Sequence, residues 1–157
     1  MKSKVLACLL LGFVATGAFA TEWTYIGISS DNLNLYAYER DGIRNSPEGI
    51  LAWIAEINSD PKLSYDLSLQ VLTFDCDRFR FRFEQTTYYL KGKVKHQSDG
   101  KFKWIFATPG SVGEAWVKNT CNRYKSDYVY RNNDWQNLTI WGKDLLKKSK
   151  AISESNF

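Results

Sequence analysis

Histidine and cysteine are scarce in this sequence. The 157 residues include one histidine and three cysteines, which excludes a histidine-rich metal site and a densely disulfide-bonded scaffold. Only one long apolar run is present, so a protein embedded in a membrane by several helices is excluded as well. The remaining composition, 44% hydrophobic and 24% charged residues, is that of an ordinary globular chain with room for one domain.

The apolar run has the organisation of a signal peptide. Lys2 and Lys4 precede the apolar residues 5–14, and Ala18-Phe19-Ala20 forms an A-x-A cleavage site. We therefore expect residues 1–20 to be a signal peptide that is cleaved after Ala20. The mature protein is then exported to the periplasm or to the outer cell surface.

Cleavage leaves a mature chain of nearly balanced charge. The full sequence has 21 basic and 17 acidic residues, and the signal peptide removes two lysines and no acids, which leaves 19 and 17 and a formal charge of +2. A nucleic-acid partner normally requires a basic surplus on one face, so we expect no such partner.

Cleavage also removes Cys8 and leaves Cys76 and Cys121. Lipid attachment at Cys8 is not favoured, because too few apolar residues precede it. In an oxidising compartment the two remaining cysteines most simply form one disulfide, to which the chain-entropy model assigns about 4 kcal/mol. The alternative, a reactive thiol near His96, requires a cysteine that stays reduced outside the cytoplasm.

Hydrophobic patterns and turn residues predict an α+β fold. Its main element is a single antiparallel, meander-like sheet of five to six strands. Residues 96–100 are polar and are expected to form a turn before the sixth strand. The predicted strands cover residues 23–28, 33–39, 50–57, 65–74, 78–83 and, as the sixth, 101–106.

The most regular pattern lies in residues 78–83, where arginine and phenylalanine alternate. In a strand this places the phenylalanines in the core and Arg78, Arg80 and Arg82 on the outer face. These three arginines are a candidate binding surface for an acidic ligand. The alternative is a solvated face on which they pair with acids such as Asp66 or Glu56.

A helix is predicted to begin after Pro109. Ser111 and Glu114 have the S-x-x-E spacing of a capping box, and the helix is expected to run to about Cys121. The disulfide would then tie this C-terminal helix to the strand that begins at Cys76. A nucleophilic role for Ser111 is disfavoured, since the Gly-x-Ser-x-Gly motif is absent.

Residues that could support catalysis are few. His96 falls in the predicted polar turn, and Asp75 and Asp77 have no further acids at the spacing of a calcium loop. We therefore expect no catalytic residues, no metal site and no cofactor, and a protein that is not an enzyme.

A series of short motifs lies between residues 22 and 121: Trp23, Gly27-x-Ser29-x-Asp31, Tyr36, Asp75-Cys76, Trp104, residues 109–114 and Cys121. In their order and spacing these motifs resemble the surface-adhesin protein E-like family. The resemblance implies a small antiparallel sheet with a C-terminal helix, found in envelope proteins of Gram-negative bacteria. It also implies a binding function, since the founding adhesin binds host matrix and serum proteins such as laminin and vitronectin.

The resemblance divides the mature chain into a domain at 21–121 and a basic, aromatic extension at 122–157, predicted to be partly helical. Leu138, Trp141 and Leu145 recur at helical spacing, and lysines follow. Such a helix could contact an anionic membrane peripherally, or it could pack on the domain with its lysines in water.

The expected function is that of an exported, non-enzymatic binding protein. The alternative is a periplasmic structural or inhibitory module, for example of the lysozyme-inhibitor type, without a host ligand.

Overall fold

The structure, a computed structural model, describes residues 21–100, 102–123, 128–131 and 134–155. The predicted signal peptide lies outside these ranges. Within them the chain forms nine strands and two helices. The strands are Glu22–Ile28 (β1), Asn34–Glu39 (β2), Arg44–Ser46 (β3), Gly49–Asn58 (β4), Leu67–Asp75 (β5), Arg80–Leu90 (β6), Lys93–Asp99 (β7), Ile105–Phe106 (β8) and Val129–Arg131 (β9), and the helices are Val112–Cys121 (α1) and Trp135–Ser155 (α2).

All described strands belong to one antiparallel sheet with the order β7-β6-β5-β4-β2-β1-β9. From β1 to β7, strands that follow one another in the chain mostly lie side by side. The exception is β3, which pairs with the same edge of β4 as β2 does. Strand β8 pairs with β6 beyond the end of β7. The last strand, β9, returns to the outer edge of β1. The predicted antiparallel meander and the disulfide between Cys76 and Cys121 are therefore confirmed.

The prediction of five to six strands was too low. The predicted turn at 96–100 was wrong, because His96 lies in β7 opposite Tyr88. Almost every residue of β7 is exposed, so this edge strand has no apolar face from which a period of two could be recognised. The predicted strand at 101–106 is also shorter, since only Ile105 and Phe106 form β8.

The two helices pack on opposite faces of the sheet. Tyr38 of β2 belongs to the core beneath α1, together with Trp116 and Val117 of that helix. Its neighbour Ala37 belongs to the core beneath α2, together with Leu138 of that helix. The central strands are thus buried on both faces, which explains why all residues of β5 except the last are buried.

Helix α1 begins at the predicted cap. Ser111 is the N-cap, and its Oγ accepts a hydrogen bond of 3.2 Å from the amide of Glu114. The Glu114 carboxylate accepts from the amide of Gly110 at 2.7 Å. Both partners of the predicted capping box therefore stabilise the first turn, although the glutamate reaches one residue beyond the N-cap.

The apolar side of helix α2 packs against the sheet. Leu138 and Leu146 are buried against the sheet, and the helix approaches β4 so closely that Gly142 faces Ile57. Its side chains Lys147, Lys148 and Lys150 are exposed. No helix in the described part of the chain is both long enough and apolar enough to cross a membrane.

Candidate binding site at the disulfide end of the sheet

The turn between β5 and β6 carries the first residues of the site. It contains Cys76, whose disulfide to Cys121 fixes the turn to the end of helix α1. Phe79 has a positive φ of 53° and packs partly buried against the core beneath α1. Because this residue turns the chain, the predicted strand at 78–83 begins only at Arg80, and Arg78 belongs to the turn.

The three predicted arginines differ in their surroundings. Arg82 is only 7% exposed and forms ion pairs with Glu48 and Glu84. Arg80 donates from Nε to Oδ2 of Asp75 at 2.9 Å. Arg78 is the most accessible, with a side chain 69% exposed and a distance of 3.6 Å to the same Asp75 carboxylate. Only Arg78 and Arg80 therefore remain in contact with the surface.

The acids that pair with these arginines are not the ones named from the sequence. Asp66 lies instead 3.4 Å from the ammonium of Lys143, and Glu56 accepts hydrogen bonds from two uncharged side chains. The actual partner of Arg80 and Arg78 is Asp75. Desolvation raises the pKa of this carboxyl, but hydrogen bonds from the Arg78 amide and the Arg80 guanidinium outweigh it, so the pKa is lowered.

Trp104 stacks on two of the arginines. The guanidinium carbons of Arg80 and Arg82 lie 4.5 and 4.8 Å from the centroid of its ring, which is the geometry of a cation–π interaction. Arg80 also lies 6.0 Å from the ring of Phe106. These contacts restrict the side chains of Arg80 and Arg82, so a ligand would meet Arg80 in a defined position.

Residues 102–106 wrap around the edge of β6. Phe102 packs edge-on against Phe83 on the face that carries α1, whereas Trp104 covers the arginines on the opposite face. Phe102, Ile105 and Phe106 are 48%, 43% and 66% exposed. We call the following set the arginine–aromatic surface: Arg78, Arg80, Phe102, Trp104, Ile105 and Phe106.

An open cavity of about 600 Å³ adjoins this surface. Asp75, Cys76, Arg78, Arg80 and Trp104 contribute to its lining. The capping pair of α1 does not line it, because that helix packs on the other face of the sheet. Within the described ranges no three histidine, cysteine or acidic side chains cluster closely enough to hold a metal ion.

Apart from Trp104, which is one of the adhesin-like motifs, the aromatic residues of this surface were not singled out from the sequence. Trp104-Ile105-Phe106 is a run of three consecutive large apolar residues. In a strand such residues cannot all face one core, because successive side chains point to opposite sides. At an edge of the sheet some of these side chains must therefore be exposed. The run of three apolar residues was the sequence pattern from which these exposed aromatic side chains could have been predicted.

Comparison with known proteins gives no relative. No protein-family model matches the chain, and no curated protein or solved structure is significantly similar to it. The resemblance to the surface-adhesin protein E-like family therefore stays a prediction that rests on the motifs named above.

Proposed function

We propose that this protein is an exported, non-enzymatic binding protein of the Gram-negative cell envelope, and that its ligand is a protein such as a host matrix or serum protein. The observation that carries this proposal is the arginine–aromatic surface. Export is supported by the signal-peptide pattern of residues 1–20. The class of ligand is supported by the adhesin-like motifs and by the composition of the surface.

The composition of the surface is that of a protein interface. Tryptophan and arginine are enriched among the residues that contribute most to binding, and here Arg80 is held against Trp104 at 4.5 Å. Phe106, next to this pair, is exposed over 66% of its surface. Adjacent exposed apolar side chains are uncommon on a protein without a partner and mark sites of interaction.

The position of β8 at an edge of the sheet provides a second way to contact a ligand. Strand β8 pairs with β6 on its inner side, and no strand of the described chain pairs with its outer side. An extended segment of a partner could hydrogen-bond to this edge and place its side chains against Ile105 and Phe106. The exposed Lys103 and Arg78 would favour acidic residues in that segment.

Binding of the mature protein to immobilised laminin and vitronectin tests the proposal. We expect wild-type protein to bind at least one of them, and Phe106→Ser to weaken binding about tenfold or more. Ile140→Ser is the matched control, because Ile140 is 50% exposed on helix α2, away from the arginine–aromatic surface. Absence of wild-type binding to both proteins would contradict the proposed ligand class, and equal effects of the two substitutions would contradict the proposed surface.

Protease treatment of intact and gently lysed cells separates the two envelope locations. An adhesin is digested on intact cells. Protection until the outer membrane is opened would favour the alternative, a periplasmic structural or inhibitory module without a host ligand.

A further inference from the structure

A second polar site lies on the sheet face that carries helix α1, next to the core beneath that helix. The core beneath α1 includes Ile54 of β4 and Leu72 of β5. Since side chains two residues apart share a face, the same face continues with Glu56 on β4 and with Gln70 and Ser68 on β5. The apolar contact surface of α1 thus gives way to a cluster of polar side chains.

These polar side chains bond to one another but leave one acceptor unused. Oε2 of Glu56 accepts from Oγ of Ser68 at 3.2 Å and from Nε2 of Gln70 at 3.1 Å. Gln70 is only 5% exposed, and its Oε1 has no hydrogen-bond partner among the described residues. A buried acceptor without a donor is costly, so this cluster would gain stability from a ligand that supplies hydroxyl or amide donors.

A row of aromatic rings adjoins the cluster. The ring centroids of Tyr65 and Tyr88 are 4.9 Å apart, and those of Tyr88 and His96 are 6.2 Å apart with an angle of 19° between the rings. Tyr88 of β6 lies opposite Ser68 of β5, whose hydroxyl donates to Glu56 at 3.2 Å, so the ring row lies next to the carboxylate. Burial, and then the charge of Glu56, raise the pKa of the Tyr65 hydroxyl. The rings and the carboxylate therefore belong to one site.

The cavity at this row has the size and the balance of charges that suit an uncharged ligand. It has a volume of about 360 Å³ and is lined by Ser64, Tyr65, Tyr88, Lys95 and His96. The charge of Lys95 offsets the charge of the nearby Glu56, so neither a strongly acidic nor a strongly basic ligand is favoured.

We propose that this aromatic row and the polar cluster beside it bind an uncharged pyranose oligosaccharide. The weakly positive C–H groups of a sugar ring suit the negative faces of the aromatic rings. Ser64 and Lys95 line the cavity and can hydrogen-bond to sugar hydroxyls. Glu56 and Gln70 lie outside its lining, so a sugar hydroxyl reaches their acceptor oxygens only after side chains of the cluster move. This site is separate in the fold from the arginine–aromatic surface, so the two activities can be tested independently.

Calorimetric titration of the mature protein with cellotetraose and with chitotetraose tests this proposal. We expect a dissociation constant below about 10 mM for at least one of them. We expect Tyr88→Ala to weaken binding about tenfold or more, and Tyr88→Phe, which keeps the ring, to retain most of it. Tyr128→Ala is the aromatic control, because Tyr128 is 60% exposed near β9 at the far edge of the sheet.

Comparison of the two sugars also identifies the hydrogen-bond donor of the sugar that the site recognises. Binding of chitotetraose alone supports the site with an N-acetyl amide as donor, and binding of both supports recognition of hydroxyl groups. No binding of either sugar at about 10 mM would overturn the proposal. It would also be overturned if Tyr88→Ala and Tyr65→Ala, shown to be folded by circular dichroism, bound as tightly as wild type.

Discussion

Replacement of Gly142 by alanine tests how closely helix α2 approaches the sheet. In the interior of an exposed helix this substitution stabilises a protein by about 1 kcal/mol. Here a Cβ atom at position 142 would lie 2.9 Å from Cβ, Cγ1 and Cγ2 of Ile57, which is fully buried on the central strand β4. A rotamer change of Ile57 cannot relieve the contact with its Cβ, so the helix must move, and overpacking of this kind costs about 1 to 3 kcal/mol.

We therefore expect Gly142→Ala to lower the free energy of unfolding by about 1 kcal/mol in urea titrations followed by tryptophan fluorescence. The double variant with Ile57→Ala is the control. Ile57→Ala removes two of the three contacted atoms, so the alanine at 142 should cost less in that background than in wild type. A higher urea midpoint for Gly142→Ala alone would refute the close approach of helix and strand.

Three further predictions concern the stability of the fold. Replacing both Cys76 and Cys121, which are 45 residues apart, with serine should lower the free energy of unfolding by about 4 kcal/mol; a loss below about 1 kcal/mol in urea titrations would contradict the chain-entropy argument. Ser111→Ala should cost about 1 kcal/mol by removing the N-cap acceptor, and Ser111→Asp should restore most of the melting temperature. Burial raises the pKa of Glu56, so wild type loses stability as the pH rises through this raised value. Glu56→Gln should therefore become more stable relative to wild type as the pH rises above 4.5, the ordinary pKa of a glutamate, and a constant difference would argue against the raised pKa.

Much of the fold could be predicted because its elements have strong local signals. The alternation that places Phe81 in the core identified β6, although the strand begins two residues later than predicted, and the pair Ser111 and Glu114 identified the start of α1. The disulfide was predictable because only two cysteines remain in the mature chain and export places them in an oxidising compartment. By contrast, β7 has no buried face and β9 is three residues long, so neither has a pattern that distinguishes a strand from a loop.

The candidate site was predictable only in part, because its geometry depends on contacts between distant segments. The arginines were visible in the sequence, but the ion pair that buries Arg82 joins it to Glu48, 34 residues away. That contact depends on the register of β4, β5 and β6, which a single sequence does not define. Likewise, the stacking of Trp104 on Arg80 follows from the path of residues 102–106 around the sheet edge.

The pairing of β9 with β1 has a consequence for how the protein is made. Glu22 of the first strand forms an ion pair with Arg131 of the last strand, 109 residues later in the chain. Until β9 has been made and has docked, the outer edge of β1 presents unpaired hydrogen-bonding groups to other chains. Pairing with β9 therefore closes an edge that would otherwise be a site of aggregation.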